Sequence, residues 1–523
     1  MENRTWLCHG QSGHGFYAVG TFCRYVGSLR AAERGYMTKN LMVFGTSSHA
    51  GKSMLVTALC RCLSRKYSVA PFKAQNMSLN SWITRDGKEI GIAQAIQAKA
   101  AGVDPSADMN PVLLKPKGDR ISQVVLLGQP YADKKAGEYY DSIDEMMGIV
   151  KGAYDRLASK YEVIVIEGAG GAAEINLYHR DIVNIGTARF VKPHIILVGD
   201  IERGGVFASI YGTLELLPDD IRPLVFGIII NKFRGDIGLL EPGIRQLEAL
   251  TGLPVLGVIP YTEIKIPSED SVSIKDKNSN NHPVRIAVVR LHHISNFTDF
   301  EPLEKYADIR YVEMDDDLAG YDAIILPGTK NTIDDLAKLK GKLDKKIISE
   351  AKKGTPIIGI CGGYQMLGEE IIDSGIEGTG GASSVKGLGL LQVSTRFCEY
   401  KKKTEQVEKT ITGNGAILGQ INGEKVTGYE IHMGETLIDN GGGGHAFGDD
   451  GCVSESGLIV GTYLHGLFEN KNFRSAFLGY LYKRRGMIFK SEEEGDSIEE
   501  LAHFVEKNVN MELIYRRLED EAA

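Results

Sequence analysis

From Leu41 onward the chain alternates short apolar runs with longer amphipathic stretches. LMVFG (Leu41–Gly45) reads as a buried strand, Met54–Lys66 as a helix and YSVAPFK (Tyr67–Lys73) as a second strand. EIGIAQAIQAKAAG (Glu89–Gly102) is rich in alanine and stops at glycine, which predicts a helix with a defined end. VIVIEGAGG, HIILVGD and FGIIINK each place a continuous apolar run directly before small or polar residues. Such runs suit strands covered on both faces. Strands alternating with helices predict a parallel sheet whose ligands gather at the carboxyl ends of its strands.

The texture changes near Asp270. SVSIKDKNSNNHP is polar, lacks periodicity and ends in proline, as a linker does. A second alternating block opens with RIAVVRL (Arg285–Leu291) and holds DAIILPG (Asp322–Gly328) and TPIIGICGG (Thr355–Gly363). Further strands are expected around Gly387–Thr395, Lys425–His432 and Leu458–His465. After the acidic SEEEGD, Ile498, Leu501, Val505 and Val509 fall on one helical face. The expected fold class is therefore α/β, with two consecutive parallel-sheet domains. The expected boundaries are an N-terminal extension over 1–40, a nucleotide-binding domain over 41–270, a linker over 271–283, a second domain over 284–487 and a helical tail over 488–523. The extension lacks periodicity and the apolar core of a signal peptide, and is expected to be disordered or an upstream start. The tail is expected to be a packed or loosely docked surface element.

Composition narrows the classes. A length of 523 residues allows several cores, and the hydrophobic (43%) and charged (24%) fractions are those of ordinary globular proteins. The net charge of -8 and the lack of a basic stripe argue against nucleic acid as a partner. No apolar run reaches the ~18–20 residues of a membrane span. Seven cysteines without a C-x-x-C pair suggest neither a disulfide framework nor a zinc site, which fits a cytoplasmic setting.

GTSSHAGKS (Gly45–Ser53) follows a strand and opens a helix, the context a phosphate-binding loop requires. Its glycines, Gly45 and Gly51, let backbone N–H groups, including that of Thr46, turn toward phosphate. Lys52 supplies charge to the β- and γ-phosphates, and Ser53 can ligate Mg²⁺. Five residues separate Gly45 from Gly51, one more than the common pattern. Glu167 and Asp200 end apolar strands and are the candidate metal-handling acids. Asn231, in GIIINKFRGD, is the candidate adenine contact.

GICGG (Gly359–Gly363) fits G-x-C-x-G, a nucleophile elbow built on a thiol. A strand should run into a strained turn at Cys361 and a helix should start behind it, its dipole favouring thiolate. A free cysteine is more often a buried structural residue; the flanking glycines argue otherwise here. His465, closing a strand in GTYLHGLFEN, is the expected base, and Gly328 with Thr329 in LPGTKNT the expected oxyanion donors.

With these residues in view, the first block resembles a dethiobiotin synthetase-like P-loop domain, and the second a class I glutamine amidotransferase domain of the corrin-pathway type. FKAQNMSLNS (Phe72–Ser81), DMNPVLLKP, GDIERGGVFAS, ISNFTDFEPL, CGGYQMLG and GYEIHMGET resemble the cobyric acid synthase family from about Leu41 to Met487. The resemblance implies ATP and glutamine as co-substrates, Mg²⁺ as cofactor and a corrinoid substrate whose b, d, e and g carboxylates become carboxamides. It leaves Gln75, Asn76, Ser78 and Asn80 either lining a corrinoid cleft or capping the following helix, Asp299 and Glu301 at a domain interface, and His432 either structural or on the glutamine side. Many amidotransferases of this class carry an acid two residues after the histidine; here Leu467 occupies that place, so a Cys–His dyad is expected. Competing readings are the paralogous a,c-diamide synthase, a noncatalytic partition-type ATPase and a cell-wall amidoligase. The N-terminal motifs oppose the first and third, and the Cys361–His465 pair opposes the second.

Overall fold

The computed structural model describes residues 38–118, 121–140, 142–264, 282–377, 381–399, 402–438, 444–492 and 495–520. The expected extension before residue 38 and the expected linker up to residue 281 lie outside the described residues.

The first domain is built on a six-stranded sheet in the order Val255–Pro260, Val225–Phe233, His194–Asp200, Lys39–Gly45, Val163–Glu167, Val69–Phe72. Every pairing is parallel. The alternation of side chains along a strand accounts for the unbroken apolar runs. Leu41 and Val43 join one core, under the phosphate-loop helix Lys52–Leu63. Met42 and Phe44 join the other, against Val150 and Ala153 of the helix Ile143–Ala158. Both faces are covered, so both parities must be apolar. In this register Gly45 sits opposite Val198 and Val43 opposite Glu167, which brings the phosphate loop and the strand-end acid to one edge.

The second domain has Asp308–Val312, Arg285–Val289, Ala323–Leu326, Ile357–Ile360 and Ile459–Thr462 in parallel order. Two antiparallel strands, Asp450–Val453 and Gly444–Phe447, extend it. Smaller antiparallel and mixed sheets stand beside both cores, and the alternating-block pattern did not foresee them. One comprises Gln75–Met77, Val112–Gly118, Ile121–Leu126 and Gln129–Lys135; another comprises Lys403–Thr410, Lys425–His432 and Leu464–His465.

The tail belongs to the first domain's core. It forms two helices, Ser497–Asn508 and Met511–Glu519, separated at Val509, which bridges to Gly257. Leu501, Val505, Ile514 and Leu518 are fully buried with Leu55, Leu59 and Leu63 of the phosphate-loop helix. Arg61 pairs with Glu499 at 2.5 Å along the seam. The chain therefore leaves the second domain and returns to close the back of the first.

A hairpin of the first domain, Ser81–Ile83 with Glu89–Gly91, docks on the second. Tyr429 donates to Ser81 O (2.9 Å), Gln406 to Ile83 O (2.8 Å) and Thr404 to Gly87 O (3.0 Å). Trp82 packs on Tyr429 with ring centroids 5.4 Å apart. The two sheets are thus held as neighbours by a polar seam with an aromatic centre.

Candidate active site

The first candidate centre lies at the end of the strand Lys39–Gly45. Gly51 takes φ 104° to turn the loop into its helix, a conformation open to glycine and strained for other residues. Lys52 Nζ is tied to Ser47 O at 3.0 Å and Gly170 O at 2.7 Å, so its charge is held across the loop. Ser53 Oγ donates to Glu167 Oε1 at 2.8 Å. Glu167 is buried, pairs with Lys73 Nζ at 2.9 Å and accepts from Gln97 Nε2. A hydroxyl and a carboxylate converging beside a phosphate loop suit a magnesium ion, which usually keeps only one or two protein ligands. The expected metal set divides, however. Asp200 Oδ2 is paired with Lys232 Nζ at 2.8 Å, and Oδ1 accepts from Glu202 N at 2.8 Å. Asn231 braces the loop, with Nδ2 donating to Ala50 O at 2.9 Å.

The second centre is a pocket at the carboxyl ends of the second sheet, lined by Cys361, His465, Thr329, Gln365, Lys115 and Lys402 among others. Cys361 has φ 52° and ψ -111° between the strand Ile357–Ile360 and the helix Gly362–Leu367. That strained turn is the predicted elbow. Gly363 is required by close approach, because a Cβ there would lie 2.0 Å from Leu326 O. Gly328 lies beside the imidazole, where a Cβ would stand 3.1 Å from His465 Cε1. The Thr329 nitrogen is 3.2 Å from the Cβ position of Gly362, next to the nucleophile. The expected oxyanion residues are thus adjacent to the thiol and its base.

His465 is held by a carboxylate, contrary to the dyad expectation. Its Nδ1 lies 2.7 Å from Asp299 Oδ2, and Gly466 N donates to Asp299 Oδ1 at 2.9 Å. Tyr429 stacks on the imidazole at 5.3 Å with an interplanar angle of 15°. Burial disfavours the charged ring, but the Asp299 carboxylate and the Cys361 sulfur outweigh it and push the His465 pKa up to about 10. Leu467, at the expected acid position, is buried apolar packing. The acid comes instead from the loop after the first strand of the domain, a segment 166 residues earlier.

That loop is anchored from the first domain. Asn80 Oδ1 accepts from Phe297 N at 3.1 Å, and Ser81 N donates to Asn296 Oδ1 at 2.9 Å. Of the two sequence readings of 75–80, the helix cap is corrected here. Asn76, Ser78 and Asn80 are buried with protein partners, and a strand, not a helix, follows them. Gln75, half-buried, accepts from Tyr139. His432 does line the thiol pocket, stacked on Tyr463 at 3.7 Å.

Sequence profiles agree with this division. The CobQ/CobB/MinD/ParA nucleotide binding domain matches residues 41–274, and the CobB/CobQ-like glutamine amidotransferase domain matches residues 285–473. A probable cobyric acid synthase from Methanosarcina mazei is 61% identical over 484 residues, covering 91% of this chain and 98% of the relative. The chain belongs to the cobyric acid synthase family. A second family member, from Methanococcoides burtonii, is 62% identical over 484 residues, covering 91% of this chain and 96% of the relative. A third, from Methanocella arvoryzae, is 58% identical over 489 residues, covering 93% of this chain and 99% of the relative. Cobyric acid synthases are ligases of cobalamin biosynthesis that carry a glutamine amidotransferase domain, and the two centres correspond to those two halves of the work.

Sequence reasoning missed four residues of these centres. Lys73 and Gln97 hold Glu167, but lie 94 and 70 residues from it. Lys115 and Lys402 reach the thiol pocket and share the buried carboxylate of Glu89. The DMNPVLLKP motif contained Lys115, but nothing local signalled its destination.

Proposed function

We propose that the chain converts the b, d, e and g carboxylates of adenosylcobyrinic acid a,c-diamide into carboxamides, using one ATP and one glutamine for each. A carboxylate resists amidation because its leaving group is oxide. Phosphoryl transfer from ATP gives an acyl phosphate and ADP, and ammonia then displaces phosphate. At the first centre Lys52 and the loop amides hold the phosphates and Asn231 fixes the loop. Ser53 and Glu167 would hold Mg²⁺, which supplies neutralisation of the phosphate charge. Asp200, tied to Lys232, is left with a charge-positioning role at the neighbouring strand end.

At the second centre the Cys361 thiolate attacks the glutamine carboxamide carbon. The developing oxyanion faces the Gly328–Thr329 backbone. As the C–N bond breaks, His465 gives its proton to the departing nitrogen, leaving a thioester and ammonia. The neutral imidazole then takes a proton from water, hydroxide attacks the thioester, and glutamate leaves with the thiolate and imidazolium restored. Asp299 fixes the ring and stabilises its charged form.

The observation that carries this reading is the thiol pocket itself: Cys361 and His465 share one wall with Lys115, a residue of the nucleotide-binding domain. A glutaminase acting alone would not need it. Mass spectrometry of the a,c-diamide incubated with ATP, Mg²⁺ and glutamine tests the reaction, and four added amides are expected. Cys361→Ala should lose glutamine-driven amidation and keep ammonium-driven amidation. A folded variant without ammonium-driven activity would sink the two-centre reading.

A further inference from the structure

Among the described residues the thiol pocket is lined by three lysines, Lys115, Lys330 and Lys402, and by one carboxylate, Glu377. Lys330 Nζ holds Gln123 Oε1 at 2.7 Å. The other two lysines come from opposite sides of the domain seam. Lys115 stands in the strand Val112–Gly118 of the first domain, and Lys402 directly precedes the strand Lys403–Thr410 of the second. They meet on Glu89, Lys115 at Oε1 and Lys402 at Oε2. The lysine side chains are 5% and 9% exposed and the carboxylate is fully buried. Two buried cations thus share one anion, and a surplus positive charge faces the pocket. An ammonium has three N–H donors. Among the described residues Lys115 gives one to Glu89 and one to Ser81 Oγ, at 2.8 Å, and Lys402 gives one to Glu89. Each lysine therefore keeps donor capacity for a further acceptor.

A buried surplus charge is costly until an anion reaches it. Burial pulls the Lys115 pKa below the ordinary lysine range, against the opposing effect of Glu89. The Cys361 sulfur also acts to raise it, so the ammonium and the nucleophile feel each other across the pocket. The molecule that Cys361 attacks carries the missing anion. Glutamine is a zwitterion, with an α-carboxylate and an α-ammonium at the far end from its side-chain amide. The pocket lining bears both matching signs, because Glu377 also faces it, accepting from Thr332 N at 3.1 Å. Such a lining suits a free amino acid better than a simple anion. We propose that Lys115 and Lys402, one from each domain, bind the α-carboxylate of glutamine while its side-chain amide lies against Cys361. Their role rests on the glutaminase function proposed above, and it makes the nucleotide-binding domain part of the glutamine site.

The test gives the full-length enzyme either glutamine or glutaminamide, in which a neutral carboxamide replaces the α-carboxylate. Both are isotopically labelled at the side-chain nitrogen, and its release is followed. In the wild type kcat/KM for glutamine should exceed that for glutaminamide by about tenfold to a hundredfold, the scale of one hydrogen bond to a charged group. In Lys115→Met the glutamine value should fall by about that factor, mostly through KM, as expected when ground-state binding is removed. The glutaminamide value should stay within about twofold. Lys115→Arg, which keeps the charge, should retain part of the preference. Lys402→Met should lose the preference likewise, and serves if Lys115→Met does not fold. An unchanged preference in a folded variant overturns the assignment. So does an equal fall on both substrates, which would mark packing or thiolate stabilisation, and so does a wild type that takes the two substrates alike. A wild type that releases no nitrogen from glutamine overturns the glutaminase function itself.

Discussion

Replacing Asp299 by Asn separates an orienting carboxylate from mere packing. The amide keeps the shape of the side chain, and its oxygen can still accept from Gly466 N, now 2.9 Å away. What is lost is the charge 2.7 Å from His465 Nδ1. A hydrogen bond to a charged group contributes about 1.5–3 kcal/mol, and about 1.4 kcal/mol is a factor of ten. Glutaminase kcat/KM should therefore fall by about tenfold to a hundredfold, followed as glutamate release. The pH profile should move as well. With Asp299 present the imidazolium persists until about pH 10; without it only the Cys361 sulfur opposes burial, so the pKa should fall. The alkaline limb should shift to lower pH in the variant, while ammonium-driven amidation holds its wild-type rate. A kcat/KM within about twofold of wild type in a folded protein, with an unmoved alkaline limb, refutes the role of Asp299.

Two further substitutions probe the frame around the site. Glu89 is buried, which opposes its ionisation, yet Lys115 and Lys402 hold its carboxyl well below the usual carboxylate range. Its folded pKa is depressed, so its stabilisation is complete above the unfolded value of ~4.3 and drains away as pH falls. Glu89→Gln should lower stability near neutral pH by about 3–5 kcal/mol, the cost of stranding buried charge. The wild-type advantage should shrink below about pH 4 in denaturant titrations. Gly363→Ala would drive a methyl to 2.0 Å from Leu326 O; we expect loss of glutaminase activity and a lower melting temperature, and an active, equally stable variant would show that the elbow relaxes freely.

The local chemistry was legible in the chain because it depends on neighbours in sequence. Unbroken apolar runs such as Leu41–Phe44 forced strands with both faces buried, and the two cores on either side of that strand bear this out. The phosphate loop and the thiol elbow are set by contiguous backbone, where glycines must stand at fixed offsets, so GTSSHAGKS and GICGG announced themselves. The tail's apolar face was legible too, but not its destination. Burial of Leu501 and Val505 against the phosphate-loop helix needed the chain to return across the molecule.

Only the tertiary structure could supply the partner of His465. The sequence pointed to Leu467 and an absent acid, yet hydrogen bonding is blind to chain order, and Asp299 arrives from another strand's end. Asn80 was read, with Gln75, Asn76 and Ser78, as lining a corrinoid cleft or capping a helix. In the fold Asn80, with Ser81 beside it, anchors the loop that carries Asp299. Lys73, Gln97, Lys115 and Lys402 follow the same rule: a charge or amide finds its meaning in what burial places beside it, and that neighbour is chosen by the packing of whole sheets. The sequence by itself determined which two motifs the chain carries; the fold decided which distant side chains stand beside each of them.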